Sequence, residues 1–333
     1  MTDSNYQPSL TQEQIDSVIA LYSNGQYKEA IEEIKALNKT YPNVPLLFNL
    51  VGACYKALGE LEGSAKMFKT AVKIKPDYAE AHKNLGITLR DLGQFDEAVL
   101  SLKKAISINP GYVDAHYNLA IMYKDIGQLD KAVQSYKKTI EINPDFAEAH
   151  NNLGNIYRVL GQSEDALKSY KKAIEINPDF AEAYNNFGNI FKDLESFNDS
   201  IESYKKAIEI NPDFAEAHNN LGNAFRRLKL REDALNCFEN ARRIKPEMDF
   251  IWGDVMISRM QLCIWDDLSE LTNQLIQKIN NNENVIAPFP LLPLIDDPKL
   301  SKKNAELFSK KIYPKSKLMS PIPLYRRHQK IRI

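Results

Sequence analysis

Residues Asn143 to Phe180 read NPDFAEAHNNLGNIYRVLGQSEDALKSYKKAIEINPDF, a stretch that opens and closes on the same phrase. Its two prolines, Pro144 and Pro178, are 34 residues apart, and the spacing continues through Pro8, Pro42, Pro76, Pro110, Pro212 and Pro246. Within one period the punctuation marks two helices. Asp145 with Glu148 has the form of a capping box opening the first, as do Asp77/Glu80, Asp179/Glu182 and Asp213/Glu216. Gly59, Gly93, Gly127 and Gly161 close it, because glycine tolerates the left-handed backbone of a tight stop. Glu195 stands at that position one period later, and Ser200 replaces the small alanine after it, which predicts a looser turn.

Helical phase at about 100° per residue divides the first helix into two sides. His150, Leu153, Gly154 and Tyr157 fall together and face the second helix, where Ala166, Tyr170, Ala173 and Ile174 turn inward. Glu148, Asn151, Asn152, Asn155, Arg158 and Val159 fall on the other side. One such pair buries too little to fold alone, so successive pairs must stack to make a continuous core. The periods run 11–44, 45–78, 79–112, 113–146, 147–180, 181–214 and 215–248, the first with Val18 at the small contact position and the role of a cap. After Pro246 the period blurs. Trp252, Val255, Cys263 and Leu268 keep expected positions, so 249–282 reads as a degenerate helix pair. Asn280–Asn282 and three prolines end it, and residues 299–312 have the pattern of a short basic helix.

The feature that points to function is a column of asparagines at the sixth position of each period: Asn84, Asn118, Asn152, Asn186 and Asn220. Asn155, Asn189 and Asn223 thicken it. A carboxamide offers both donor and acceptor, the complement of a peptide unit. Helices about 10 Å apart would meet roughly every third residue of an extended guest that rises about 3.3 Å per residue. Asparagine is also a poor interior helix residue, so its recurrence asks for a reason. Two other readings stay open: a plain solvated face, or hydrogen bonding between repeats. Beside the column run Arg90, Lys124, Arg158, Lys192 and Arg226, with Asp91, Asp125 and Asp193 next to them.

Several chemistries find no support. His82, His116, His150 and His218 recur once per period on the packing side, too far apart to share an ion whose ligands lie about 2 Å away. Cys54, Cys237 and Cys263 are sparse, without CxxC spacing, and fit a reducing, cytoplasmic compartment. No glycine-rich phosphate loop or nucleophile elbow is present. The chain has 43 Lys/Arg and 44 Asp/Glu, so no global field favours nucleic acid or a membrane. Eleven of those bases lie between Lys299 and Ile333 beside a single acid, Glu306, which leaves the rest acidic.

A 34-residue period with this filling resembles the tetratricopeptide repeat (TPR). The resemblance implies an all-α solenoid, a right-handed superhelix of about seven repeats with the first helices on its concave side. It is followed by the degenerate pair and a Pro-rich basic junction over 283–333, and preceded by a flexible N-terminus over 1–10. It implies protein or peptide partners in the groove, and leaves a homo-oligomer through the convex face open. The phrase NPDFAEAHNNLGN with its Asn column further resembles the superhelix of protein O-GlcNAc transferases and their SPINDLY-type relatives. Cys263–Asp267, Ala287–Phe289 and Asp296–Pro298 are similar to the junction before the catalytic domain of those enzymes, and His328–Ile333 to the lead-in to its first strand. That resemblance implies that the Asn column captures extended Ser/Thr-containing segments for a GT-B glycosyltransferase domain. No catalytic residue, and no site for the UDP-GlcNAc donor, is carried over to residues 1–333. A self-sufficient TPR scaffold or adaptor is the alternative.

Overall fold

The computed structural model describes residues 10–313, and those residues form helices without strands. The predicted strand-like start at His328–Ile333 and nearly all of the expected flexible N-terminus lie outside the described residues. The chain divides into two compact units, Met1–Pro178 and Asp179–Ile333. The first contains α1 Gln12–Ser23, α2 Tyr27–Thr40, α3 Pro45–Ala57, α4 Leu61–Ile74, α5 Ala79–Asp91, α6 Phe95–Ile108, α7 Val113–Asp125, α8 Leu129–Ile142, α9 Ala147–Val159 and α10 Ser163–Ile176. The second contains α11 Ala181–Asp193, α12 Phe197–Ile210, α13 Ala215–Arg227, α14 Arg231–Ile244, α15 Ile251–Gln261, α16 Leu268–Asn280, the single turn α17 Pro288–Leu291 and α18 Pro298–Ile312.

In four repeats, 45–78, 147–180, 181–214 and 215–248, one ring is set against one glycine, and in 79–112 Leu102 takes the place of the ring against Gly86. A Cβ on Gly154 would lie 2.7 Å from the Tyr170 ring, one on Gly188 2.6 Å from Tyr204, and one on Gly222 2.7 Å from Phe238. These rings are fully buried. Burying a side chain of that size contributes on the order of 2–3 kcal/mol. In 113–146 the equivalent positions hold Ala120 and Tyr136, both fully buried.

The helix starts differ from the capping boxes expected at Asp77, Asp145, Asp179 and Asp213. The N-cap residues are Tyr78, Phe146, Phe180 and Phe214, none with a side-chain cap. Each aspartate stands one residue too early. At Asp145 and Asp213 the backbone belongs instead to an Asx turn, in which Asn143 Oδ1 accepts from Asp145 N and Asn211 Oδ1 from Asp213 N, both at 3.2 Å. A complete capping box does occur at α1, between Thr11 and Gln14. Asp297 caps α18 through the amides of Lys299 and Leu300.

The first-helix stops are left-handed as expected, with φ of 73–79° at Gly59, Gly93, Gly127 and Gly161. Glu195, however, does not loosen its turn. It adopts φ 60° and its amide donates to Lys192 O at 3.0 Å, matching the 3.1 Å bond of Gly161 to Arg158 O. Lys229 does the same at φ 62°. Packing on either side of the turn holds both residues in a conformation their Cβ atoms disfavour.

Beyond Pro246, α15 and α16 fill the stretch read as a degenerate pair. The backbone of Asn284 and Val285 runs along α15, accepting from Phe250 N at 2.7 Å and from Gly253 N at 2.9 Å. Gly253 permits this approach, since a Cβ there would meet Ile286 at 2.7 Å. Val285, Ile286, Leu291 and Leu300 thereby join Trp252, Met256 and Leu275 in one core.

Candidate peptide-binding face

The Asn column is half-buried throughout, and its hydrogen bonds follow a rule the single-helix phase did not contain. In the first unit Asn84 Nδ2 donates to Asn49 Oδ1 at 3.1 Å, and Asn152 Nδ2 to the Tyr117 hydroxyl at 2.8 Å. In the second, Asn220 Nδ2 donates to Asn185 Oδ1 at 2.9 Å. Each bond spans 35 residues, from the sixth position of one repeat to the fifth of the repeat before it. Asn118 breaks the rule because its preceding fifth residue is Lys83, which has no acceptor to offer. It turns to Asp114 O on its own helix, at 2.7 Å. Asn186 also has a partner.

The fifth position is therefore not on the open face where helical phase put Asn151. Asn49, Asn151 and Asn185 are buried, at 3%, 6% and 7% exposure. A helix wheel resolves which residues face the partner helix of the same repeat. It has no view of the next repeat, which covers this flank.

The ninth-position asparagines have a different task. Asn155 Oδ1 accepts from the Tyr170 hydroxyl at 2.8 Å, and Asn189 Oδ1 from the Tyr204 hydroxyl at 2.9 Å. Lys192 Nζ adds a 3.4 Å contact to the same Asn189 oxygen. Phe238 has no hydroxyl, so Asn223 donates to Asn219 O and accepts from Arg226, which also pairs with Asp254. Burial pushes the Asp254 carboxyl up, against the pull of Arg226. In 113–146 the ninth residue is Ile121, which cannot accept, and the buried Tyr136 hydroxyl has no hydrogen-bond partner among the described residues.

The carbonyls of Asn84, Asn152 and Asn220 have a different fate from those of Asn155, Asn189 and Asn223. In the first three, one N–H is used between repeats. Among the described residues the oxygen and the second N–H make no other bond. In the other three the oxygen already accepts a bond, and in Asn189 two. The charges alongside are largely paired: Asp91 lies 3.2 Å from Lys56 and 3.3 Å from Arg90, and Lys124 lies 3.7 Å from Asp125.

The histidines close the joints between repeats. His82, His116, His150 and His218 each place Nε2 3.0 Å from the carbonyl of Pro76, Pro110, Pro144 and Pro212 respectively. A carbonyl only accepts, so Nε2 carries the proton. Trp252 Nε1 makes the same bond to Pro246 O at 2.8 Å. Burial lowers the His82 and His150 pKa values below the ordinary imidazole range, with the proline carbonyl opposing it. Cys54 and Cys237 are buried and Cys263 is exposed; burial raises the Cys54 thiol pKa and lifts that of Cys237 to about 12. No helix among the described residues is long and apolar enough to cross a membrane.

These features define an α-helical repeat array whose first helices present a ladder of partly engaged carboxamides. The TPR repeat profile matches residues 52–89, 86–125, 121–159, 154–194 and 188–229, and the tetratricopeptide repeat profile matches 215–248. The chain belongs to the tetratricopeptide-repeat family. Its fold is similar to that of the APC/C hetero-tetramer Cut9-Hcn1, at TM-score 0.58 and 14% identity over 72% of this chain and 48% of that one. It is also similar to the C-terminal part of a TPR repeat-containing protein from Cytophaga hutchinsonii, at TM-score 0.56 and 19% identity over 69% and 95%. MamA matches at 28% identity and TM-score 0.46 over 51% of this chain and 92% of that one. No curated protein matches the chain.

Proposed function

We propose that this chain is a protein-binding array that holds extended Ser/Thr-containing segments of other proteins along its first helices. The observation that carries this reading is the split within the Asn column. The sixth-position carboxamides of Asn84, Asn152 and Asn220 use one N–H to join repeats and keep an oxygen and an N–H for a guest backbone. Inter-repeat bonding and guest binding are thus compatible, and the first pre-orients the group for the second. Among the described residues, Asn155 and Asn223 keep one oxygen lone pair and one N–H or more beyond these partners, whereas both lone pairs of Asn189 Oδ1 are engaged, by Tyr204 and Lys192, so it offers a guest its N–H groups.

The segment from Cys263 to Pro298, with its resemblance to the junction of protein O-GlcNAc transferases, supports a more specific reading. In it the array delivers its guests to a glycosyltransferase domain that uses UDP-GlcNAc. The sparse, unpaired cysteines support a cytoplasmic setting.

The triple variant Asn152→Ala/Asn186→Ala/Asn220→Ala tests the capture step. Binding of fluorescein-labelled extended Ser/Thr-rich peptides, followed by anisotropy, should weaken at least tenfold while helicity by circular dichroism is kept. Unchanged affinity in a folded variant sinks the reading.

A further inference from the structure

The ladder is not uniform along the first unit. The second repeat alone has alanine at both its ninth and thirteenth positions, Ala53 and Ala57; elsewhere these positions hold Ile19/Ser23, Ile87/Asp91, Ile121/Asp125 and Asn155/Val159 in the same unit. Two missing side chains on adjacent turns of α3 leave a hollow. The structure contains a cavity of about 520 Å³ there, lined by Tyr22, Leu50, Ala53, Ala57 and Phe68, with Asn49, Asn84, Glu80 and Lys56 also on its wall. The floor is apolar. Ile19 and Tyr22, at the ninth and twelfth positions of the period 11–44, are large apolar groups 43% and 36% exposed.

The wall sets the polarity of what fits. Asn49 is engaged on both sides, accepting from Asn84 and donating to Glu80 Oε1 at 3.3 Å. Lys56 is paired with Asp91 at 3.2 Å. Among the described residues, the Glu80 carboxylate is met by the neutral amide of Asn49 and by no cation. Its counterpart in the second unit, Glu216, is neutralised by Lys245 at 2.7 Å, but the residue equivalent to Lys245 in this repeat is Asn109, whose oxygen serves the amide of Gly111. One carboxylate that no cation among the described residues meets therefore stands beside an apolar hollow and a carboxamide with hydrogen-bonding capacity in reserve.

We infer that this hollow is an anchor socket, taking one large aliphatic or aromatic side chain of an extended guest segment that has a Lys or Arg next to that anchor, to meet Glu80. The inference rests on the capture reading above and adds to it a register and a sequence preference. A ladder that grips only backbone would let a guest slide, whereas one filled socket fixes which residues follow it along the array.

The full chain, immobilised and panned against phage-displayed random twelve-residue peptides, tests this. The expected selectants share one Leu, Ile, Met, Phe or Trp with a Lys or Arg within two residues. Filling the hollow with Ala53→Leu/Ala57→Leu should weaken them at least tenfold. Glu80→Lys, at an exposed position where folding is not at stake, should exchange the basic neighbour for an acidic one on repeated selection. Peptides that weaken with the Asn triple variant yet show no apolar consensus, or no response to either socket variant, overturn the socket and leave the ladder standing. Failure to select any peptide on a folded chain overturns both.

Discussion

Removing the hydroxyl of Tyr136 should stabilise the protein, and removing that of Tyr170 should destabilise it, although the two residues occupy the same position in successive repeats. The Tyr170 hydroxyl donates to Asn155 Oδ1 at 2.8 Å, and the Tyr136 hydroxyl, fully buried, has no partner among the described residues, the position equivalent to Asn155 in its repeat being Ile121. A made hydrogen bond contributes about 1 kcal/mol net, and a buried polar group left without one costs about 1–3 kcal/mol. Tyr136→Phe should therefore gain about 1 kcal/mol or more, and Tyr170→Phe should lose about 1 kcal/mol, with Asn155 then short of its donor. Because the stability of a repeat array is set by each repeat and its neighbours, a single global midpoint can hide the change. Urea titration should be read with native-state hydrogen exchange of the α7 and α8 amides for Tyr136→Phe, and of α9 and α10 for Tyr170→Phe. Ile121→Asn supplies the missing acceptor. In that background Tyr136→Phe should turn unfavourable, a coupling of about 1 kcal/mol in a double-mutant cycle. Equal destabilisation by the two Phe variants in the parent chain would refute the account.

Glu195→Gly and Lys229→Gly should each raise stability by about 0.5–1 kcal/mol, seen as an upward shift in Tm, because both residues sit at positive φ in turns that glycine serves elsewhere in the chain. His82 and His150 have folded-state pKa values below the unfolded value of about 6.5, so the native state resists protons that the unfolded chain accepts. Their contribution is present above pH 6.5 and is lost as pH falls from there through the folded values. Urea midpoints at pH 7.5 and 5.0 should differ less in His82→Gln/His150→Gln than in the parent. A thiol-reactive chromophore should label Cys263 promptly in the native protein and reach Cys54 and Cys237 only when urea opens their repeats, since burial keeps those two thiols protonated.

Much of this was legible from one period of sequence. The stops at Gly59, Gly93, Gly127 and Gly161 follow from backbone chemistry, and the structure has them where the pattern requires. The basic helix over 299–312 appears as α18. What escaped depended on neighbours. The burial of Asn49, Asn151 and Asn185 is imposed by an adjoining repeat, and the different behaviour of Asn118 depends on Lys83, 35 residues earlier. Two of the displaced helix starts had a local sign that was available, the Asn-Pro-Asp order at 143–145 and 211–213, in which asparagine closes a turn before aspartate can cap. The socket had a sign too, the paired alanines at 53 and 57, visible only when repeats are compared column by column. Nothing in the sequence around Asn284–Ile286 marked it as backbone destined to lie against α15.

The bonds from His82, His116, His150 and His218 to prolines six residues upstream have a consequence for how such an array can change over generations. Each joint is closed by donor and acceptor from one short piece of chain, so a 34-residue unit duplicated or lost whole brings or removes its own hinge pin and leaves the others intact. The ladder bonds from Asn84, Asn152 and Asn220 are of the opposite kind, since each needs the right residue in the adjoining copy. Copy number is thus free to drift at little mechanical risk, while shuffling unlike copies disturbs the recognition face first. Length and binding register are inherited through separate sets of contacts.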